Sequence, residues 1–286
     1  MIKRLTDKDE ILRISKSDSE YISSFGKEFR WGSVQDIKID SMLNNKLGIP
    51  GYKGKKSFFE FAKSIPTLGE IDENIKKADL EERVRMYALY RATNIRSSWL
   101  DESYIGTLDG VELNPKEPDD WDFRLKGIEF DLKSSPFPVS EDFSWCKNGS
   151  SISNNPEKFV RDMFLYSSPG DRANPYTHKQ SNRFFMVYKS AIDKDYSWKK
   201  RPNTIRLKFV LTDKKRSLFE KIFQEFNEDN ILHYNNMWYQ WDNPKTGERE
   251  DHFYKDVYCA ICLIGEDDNG ELKYKLLKPK PLKNSN

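Results

Sequence analysis

The chain has 286 residues, enough for one large domain or a core with an appendage, and its 37% hydrophobic and 14% aromatic content supports a packed globule rather than a disordered chain. Its 48 Lys and Arg nearly balance 46 Asp and Glu, so the net charge of +2 gives no global argument for a polyanionic partner and leaves only local basic clusters. Three cysteines exclude a disulfide framework, no apolar run approaches the ~20 residues of a membrane span, and "MIKRLTDKDE" lacks a signal-peptide core, which predicts a cytoplasmic protein with no membrane partner.

Residues 1–70 mix short aromatic patches with a Gly/Pro/Lys loop and read as a peripheral N-terminal region. From Ala78 to Ile95, Leu80, Val84, Ala88 and Ile95, with Met86 and Leu89 alongside, recur at helical spacing and predict an amphipathic helix. Ser103 to Leu108 reads as a short strand before a turn at Asp109-Gly110. "WDFRL" and "IEFDLKSS" alternate in polarity and are separated by Lys126-Gly127, the commonest hairpin loop length.

Pro156 to Tyr166 predicts a helix with Pro in its first turn and Asn154 or Asn155 as cap. Arg183 to Ser190 is an apolar run of strand length, "TIRLKFVLTD" (Thr204 to Asp213) another strand, and Lys214 to Phe226 another helix. "VYCAICLIG" and "ELKYKLL" form a hairpin across Glu266 to Gly270, with Cys259 and Cys262 as buried strand residues rather than a zinc knuckle, because residues three apart on a strand point to opposite faces. The order predicts an α/β (α+β) fold, a central mixed β-sheet flanked by helices, with a core at 71–200 and a C-terminal α/β extension, 201–286, packed on it.

A two-residue loop at Lys126-Gly127 pairs Leu125 with Ile128, Arg124 with Glu129, Phe123 with Phe130 and Asp122 with Asp131. Alternation then puts Phe123, Leu125, Ile128, Phe130 and Leu132 on a core face, and Asp122, Arg124, Glu129, Asp131 and Lys133 on a charged one. Like charges directly across a sheet are unfavourable, so the Asp122/Asp131 pair needs a reason. A divalent cation supplies one, because Mg²⁺ takes one or two carboxylates together with waters and phosphate oxygens. Lys133 points the same way as Asp131, where an ammonium can orient water or stabilise a pentavalent transition state. An ordinary solvated hairpin with an Arg124/Glu129 ion pair is the competing reading, and a G1 bulge at Gly127 would shift the register by one.

This arrangement resembles the PD-(D/E)xK nuclease superfamily, through Trp121-Asp122 and Asp131-Leu132-Lys133 on consecutive predicted strands within a helix, three strands, helix, strand order. The resemblance covers roughly 110 residues and implies a restriction-endonuclease-like αβββαβ core with N- and C-terminal additions. It implies a Mg²⁺-dependent DNA nuclease, with Mn²⁺ able to substitute, of a restriction-type or defence-related kind. Asp122 and Asp131 would be its metal-binding aspartates, the Leu132 carbonyl a further metal ligand, Lys133 the catalytic lysine, and a glutamate of the first helix, Glu82 in preference to Glu81, the fourth site residue. The literal "PD" is Pro118-Asp119, but strand parity puts Asp119 on the apolar face, so Asp122 is preferred. The appended segments would supply DNA recognition or homodimerisation. A non-catalytic nucleic-acid-binding or assembly protein on the same fold is the alternative.

Gln180, Asn182 and Arg183 precede the apolar strand and are candidate DNA contacts or ordinary loop polarity, and Ser167 to Asn182 is a candidate substrate-binding loop. "HYNNMWYQWDNP" (His233 to Pro244) reads as an aromatic core patch or a base-stacking surface. "GYKGKKS" lacks phosphate-loop spacing, and His178, His233 and His252 have no metal-ligand spacing.

Overall fold

The computed structural model describes residues 4–24, 47–52, 57–114, 121–136, 156, 159–160, 182–190, 202–242 and 246–278. Among the described residues the helices α1 (Lys8–Ser24), α2 (Phe58–Ser64) and α3 (Leu68–Lys76) come first, followed by the long α4 (Glu82–Ile105). Strands β1 (Val111–Leu113), β2 (Phe123–Leu125), β3 (Ile128–Pro136) and β4 (Arg183–Ser190) follow. Then come α5 (Pro202–Phe209), α6 (Asp213–Glu225), β5 (Leu232–Asp242), β6 (Arg249–Glu266) and β7 (Leu272–Leu276).

The strands form one mixed sheet in the order β1-β2-β3-β4-β6-β5, with β7 also on β6. β1, β2 and β3 make an antiparallel meander, whereas β4 runs parallel to both β3 and β6. Asp131, Arg183, Cys259 and Leu232 lie at one level across four strands. One sheet face, including Phe130, Leu132, Phe184, Met186, Ala260 and Cys262, closes a core with Trp99, Leu100 and Tyr104 of α4 and Phe219, Ile222 and Phe223 of α6. On the other face Phe185 meets Phe159 edge-on at 5.5 Å. Phe159, Pro156 and Val160 are the described residues of the predicted 156–166 helix and are helical.

The β2/β3 hairpin has the predicted register, Leu125 to Ile128, Arg124 to Glu129 and Phe123 to Phe130. Lys126 and Gly127 both take positive φ, +52° and +78°. That is the type I′ turn, whose twist matches the flanking strands, so no bulge shifts the register. β4, α6 and the β6/β7 hairpin also lie where the pattern puts them, and Cys259 and Cys262 are both buried.

Two elements differ from expectation. Ser103 to Leu108 is not a strand. α4 runs on through Ile105 because Leu100, Tyr104 and Ile105 continue its buried stripe, and it stops at Gly106, where a Cβ would come within 2.7 Å of Leu113. The first strand is instead Val111–Leu113, after the Gly110 turn. Residues 202–209 are helix α5, not strand: Pro202 opens the first turn with its φ already helical, and the β-branched residues behind it are overridden by packing against α4 and β4.

The N-terminal region also contributes to the centre of the molecule. Ile11 and Ile14 of α1 belong to the main core, and buried Arg96 of α4 donates to Asp18 of α1 (2.7 Å) and to the Ala62, Ile65 and Pro66 carbonyls. Lys215 of α6, fully buried, donates to Asp101 of α4 at 2.7 Å. α4 is thereby pinned on both sides. Among the described residues, no helix is long and apolar enough to cross a membrane.

Candidate active site

The turn chemistry of Lys126-Gly127 fixes which side chains leave each face of the hairpin. Phe123, Leu125, Phe130 and Leu132 are buried, and Arg124 pairs with Glu129 (2.6 Å) and Glu112 (2.8 Å) on the opposite face. At the far end the ladder changes. The Asp122 N–H donates to the carbonyl of Phe130, the residue across from its neighbour Phe123 (2.8 Å). Asp122 therefore sits at a kink where the two strands part, not directly opposite Asp131 as expected. Its carboxylate turns along β3, and Oδ2 accepts the Leu132 N–H at 2.7 Å.

The two aspartates still act on one another. Burial first, and then the charge of Asp131, push the Asp122 carboxyl up to about 6, against the opposing pull of Arg4, the Leu132 N–H and Lys133. Asp131 accepts Lys133 Nζ on Oδ1 at 2.8 Å, and Arg183 Nε lies 3.8 Å from its Oδ2. Asp122, Asp131 and Lys133 are thus gathered around the end of one hairpin, with side chains 14%, 19% and 32% exposed.

Glu82 is elsewhere. It is exposed in the first turn of α4, paired with Arg85 (2.8 Å), and Glu81 precedes it as an exposed residue. The α4 glutamate beside the site is Glu102. Burial, followed by the charge of Asp122, raises its carboxyl well above the usual range, while Lys63, Arg4 and Lys133 pull it back. The sequence pattern ends the helix at Ile95, short of Glu102, whereas α4 continues through Ile105. The buried stripe Ile95, Trp99, Leu100 and Tyr104 is the signal that finds it.

A second residue outside the predicted set is Arg4. Its Nη2 donates to Asp122 Oδ1 at 2.7 Å and its Nη1 to the Asp122 carbonyl, with the side chain only 6% exposed. Nothing in "MIKRLTDKDE" marks that arginine, because the contact spans more than a hundred residues of chain.

The substrate-binding candidates divide. Gln180 and the loop up to 181 lie outside the described residues, as do Pro118 and Asp119. Asn182 is committed to the backbone: its Oδ1 accepts from Tyr258 N–H (2.9 Å), its Nδ2 donates to the Glu129 carbonyl (3.1 Å), and its carbonyl accepts from Asp131 N–H (2.9 Å). It ties β3 to β6 across the head of β4. Arg183 is 1% exposed and faces Asp131, so it cannot reach out to a phosphate and instead adds positive charge behind the carboxylate. His233 stacks on Tyr258 at 4.4 Å, and the side chains of β5 from Asn236 onward, like His178, lie outside the described residues.

Two carboxylates and a neighbouring backbone carbonyl are hard oxygen donors suited to Mg²⁺ or Mn²⁺. Among the described residues no three His, Cys, Asp or Glu side chains converge as a closed metal cage. Two carboxylates and one carbonyl would leave the remaining positions of such an ion to water and substrate oxygens. Comparison with protein-family models, with curated proteins and with solved structures finds no match to this chain.

Proposed function

We propose that this chain is a metal-dependent nuclease of the PD-(D/E)xK type, hydrolysing phosphodiester bonds in DNA, of a restriction-type or defence-related kind. The observation that carries the reading is the convergence of Asp122, Asp131 and Lys133 where β2 and β3 part, on a meander whose third strand runs parallel to β4. The roles follow from position. Asp122 and Asp131, with the Leu132 carbonyl, would hold Mg²⁺, which when bound polarises a phosphodiester and acidifies a bound water. Lys133, held at 2.8 Å by Asp131, presents an ammonium at the same mouth, where it can orient the attacking water and stabilise charge developing on phosphorus. Glu102 takes the part expected of Glu82, as a carboxylate from the first core helix close to Asp122. Arg183 holds Asp131 from behind.

The second reading, a non-catalytic nucleic-acid-binding or assembly protein, draws on one observation. Asp122 and Asp131 are each already matched by a cation, through Arg4 and through Lys133 with Arg183, as in a structural ion-pair network. Incubation with plasmid and linear DNA separates the two. A nuclease cleaves with Mg²⁺ or Mn²⁺, is silenced by chelator, and loses activity in Asp131→Ala and Lys133→Ala. Wild-type-level cleavage by both variants would sink the site assignment, and intact DNA and RNA under every metal condition would favour the second reading.

A further inference from the structure

β4 is paired on both sides from its first residue, with Asp131 of β3, Arg183 and Cys259 of β6 in one register. One residue earlier, the side chain of Asn182 does what a peptide group does within a strand. Its Oδ1 accepts the Tyr258 N–H of β6 at 2.9 Å, and its Nδ2 donates to the Glu129 carbonyl of β3 at 3.1 Å. A carboxamide carries the donor and acceptor of a peptide unit, so this side chain extends the ladder one rung toward the Lys126-Gly127 turn. An aspartate there has no donor for Glu129, an alanine or leucine has neither group, and a glutamine sets the amide one methylene farther out.

That rung adjoins the candidate site. Along β3 the backbone groups alternate between neighbours. The Phe130 carbonyl accepts the Asp122 N–H (2.8 Å) on the β2 side, whereas the Glu129 carbonyl and the Asp131 N–H (2.9 Å) are both held by Asn182 on the β4 side. Glu129 to Asp131 are thus clamped between Asp122 and Asn182, which sets the separation of the two aspartates. Arg183, next in the chain, lies 3.8 Å from Asp131 Oδ2, so two consecutive residues hold the backbone and the carboxylate of one aspartate.

We propose that Asn182 is a positioning residue of this site: its amide is a surrogate peptide unit that fixes Asp131 at the distance from Asp122 at which the pair captures a divalent ion. The inference rests on the nuclease reading above, and it gives Asn182 a role behind the site in place of the DNA contact that its sequence position suggests. Groups that orient metal ligands typically contribute about ten- to a hundredfold to metal affinity or activity.

The test is Asn182→Ala on the full chain, checked for folding by circular dichroism. At a fixed Mn²⁺ concentration, kcat for cleavage of a labelled duplex is expected to fall about ten- to a hundredfold, with KM for DNA within about twofold of wild type. Amide hydrogen exchange read by NMR examines the rung in the wild type itself. The Tyr258 and Asp131 amides are expected to exchange slowly there, and to lose about tenfold or more of that protection in Asn182→Ala. Rapid exchange of the Tyr258 amide in the wild type overturns the proposal even if the variant fails to fold. An unchanged kcat in the folded variant also overturns it, as does a raised KM with kcat retained, which is the signature of a DNA contact. A wild type that cleaves no nucleic acid with Mg²⁺ or Mn²⁺ is a different result, because it overturns the nuclease reading and this inference with it.

Discussion

Replacing Glu102 and Glu82 separately distinguishes the structural assignment from the sequence-based one. The two lie about twenty residues apart on one helix, roughly 30 Å at 1.5 Å per residue. Charges that far apart are screened at physiological ionic strength, where the Debye length is about 8 Å. Glu82→Gln is therefore expected to leave cleavage and Mn²⁺ affinity within about twofold of wild type. The charge of Asp122 acts on the Glu102 carboxyl. At an effective dielectric near 20 a unit charge is worth about 4 kcal/mol at ~4 Å and about 2 kcal/mol at ~8 Å, and discounting for partial exposure leaves about 1.5–3 kcal/mol. Glu102→Gln should thus lower the cleavage rate or metal affinity by roughly ten- to a hundredfold. Stability should move the other way. Burial and Asp122 both disfavour the Glu102 anion, so the neutral amide should unfold at an equal or higher temperature in chelator at pH 8. The assays are cleavage of a labelled duplex against Mn²⁺ concentration and thermal melting. Equal activity of Glu102→Gln and wild type, or a loss in Glu82→Gln instead, refutes the assignment.

Asp122, raised to about 6, binds its proton more tightly in the folded chain than in the unfolded one. Its contribution to stability is therefore present below about pH 4 and is lost as pH rises through about 6, a change on the order of 2–3 kcal/mol. Asp122→Asn should flatten that slope in denaturant titrations with chelator at pH 4, 5 and 8, and an unchanged slope would count against the carboxylate coupling. Lys215→Met strands the buried Asp101 carboxylate and should cost about 3–5 kcal/mol, whereas Asp101→Leu with Lys215→Met should recover most of it. A double variant as unstable as the single one would show that the ion pair is not what matters. Gly127→Val forces a β-branched residue to φ +78° and should cost about 1–2 kcal/mol while reducing cleavage, because the turn sets the register that aims Asp131 and Lys133. Full activity in that variant would show the hairpin register to be unimportant to the site.

Much of the centre of this molecule was legible because the information is local. Strand parity and a two-residue Lys126-Gly127 loop determine which face Phe130 and Asp131 take, and the structure has that register. The same holds for β4, α6 and the β6/β7 hairpin, whose periodicity and turn residues lie within a few positions of one another. Errors arose where local propensity competed with packing. Ser103 to Leu108 and Thr204 to Asp213 carry strand-forming residues, yet α4 keeps its buried stripe through Tyr104 and Ile105, and Pro202 opens a helix against β4. Ending the helix at Ile95 rather than Ile105 hid Glu102.

What only the tertiary structure decided is the company the aspartates keep. A hairpin pattern names Asp122 and Asp131, but the kink at Asp122, the buried Arg183 behind Asp131 and the clamp of Arg4 on Asp122 depend on contacts between distant segments. Composition and spacing cannot report those, since they arise only when α1, α4 and the sheet share one core.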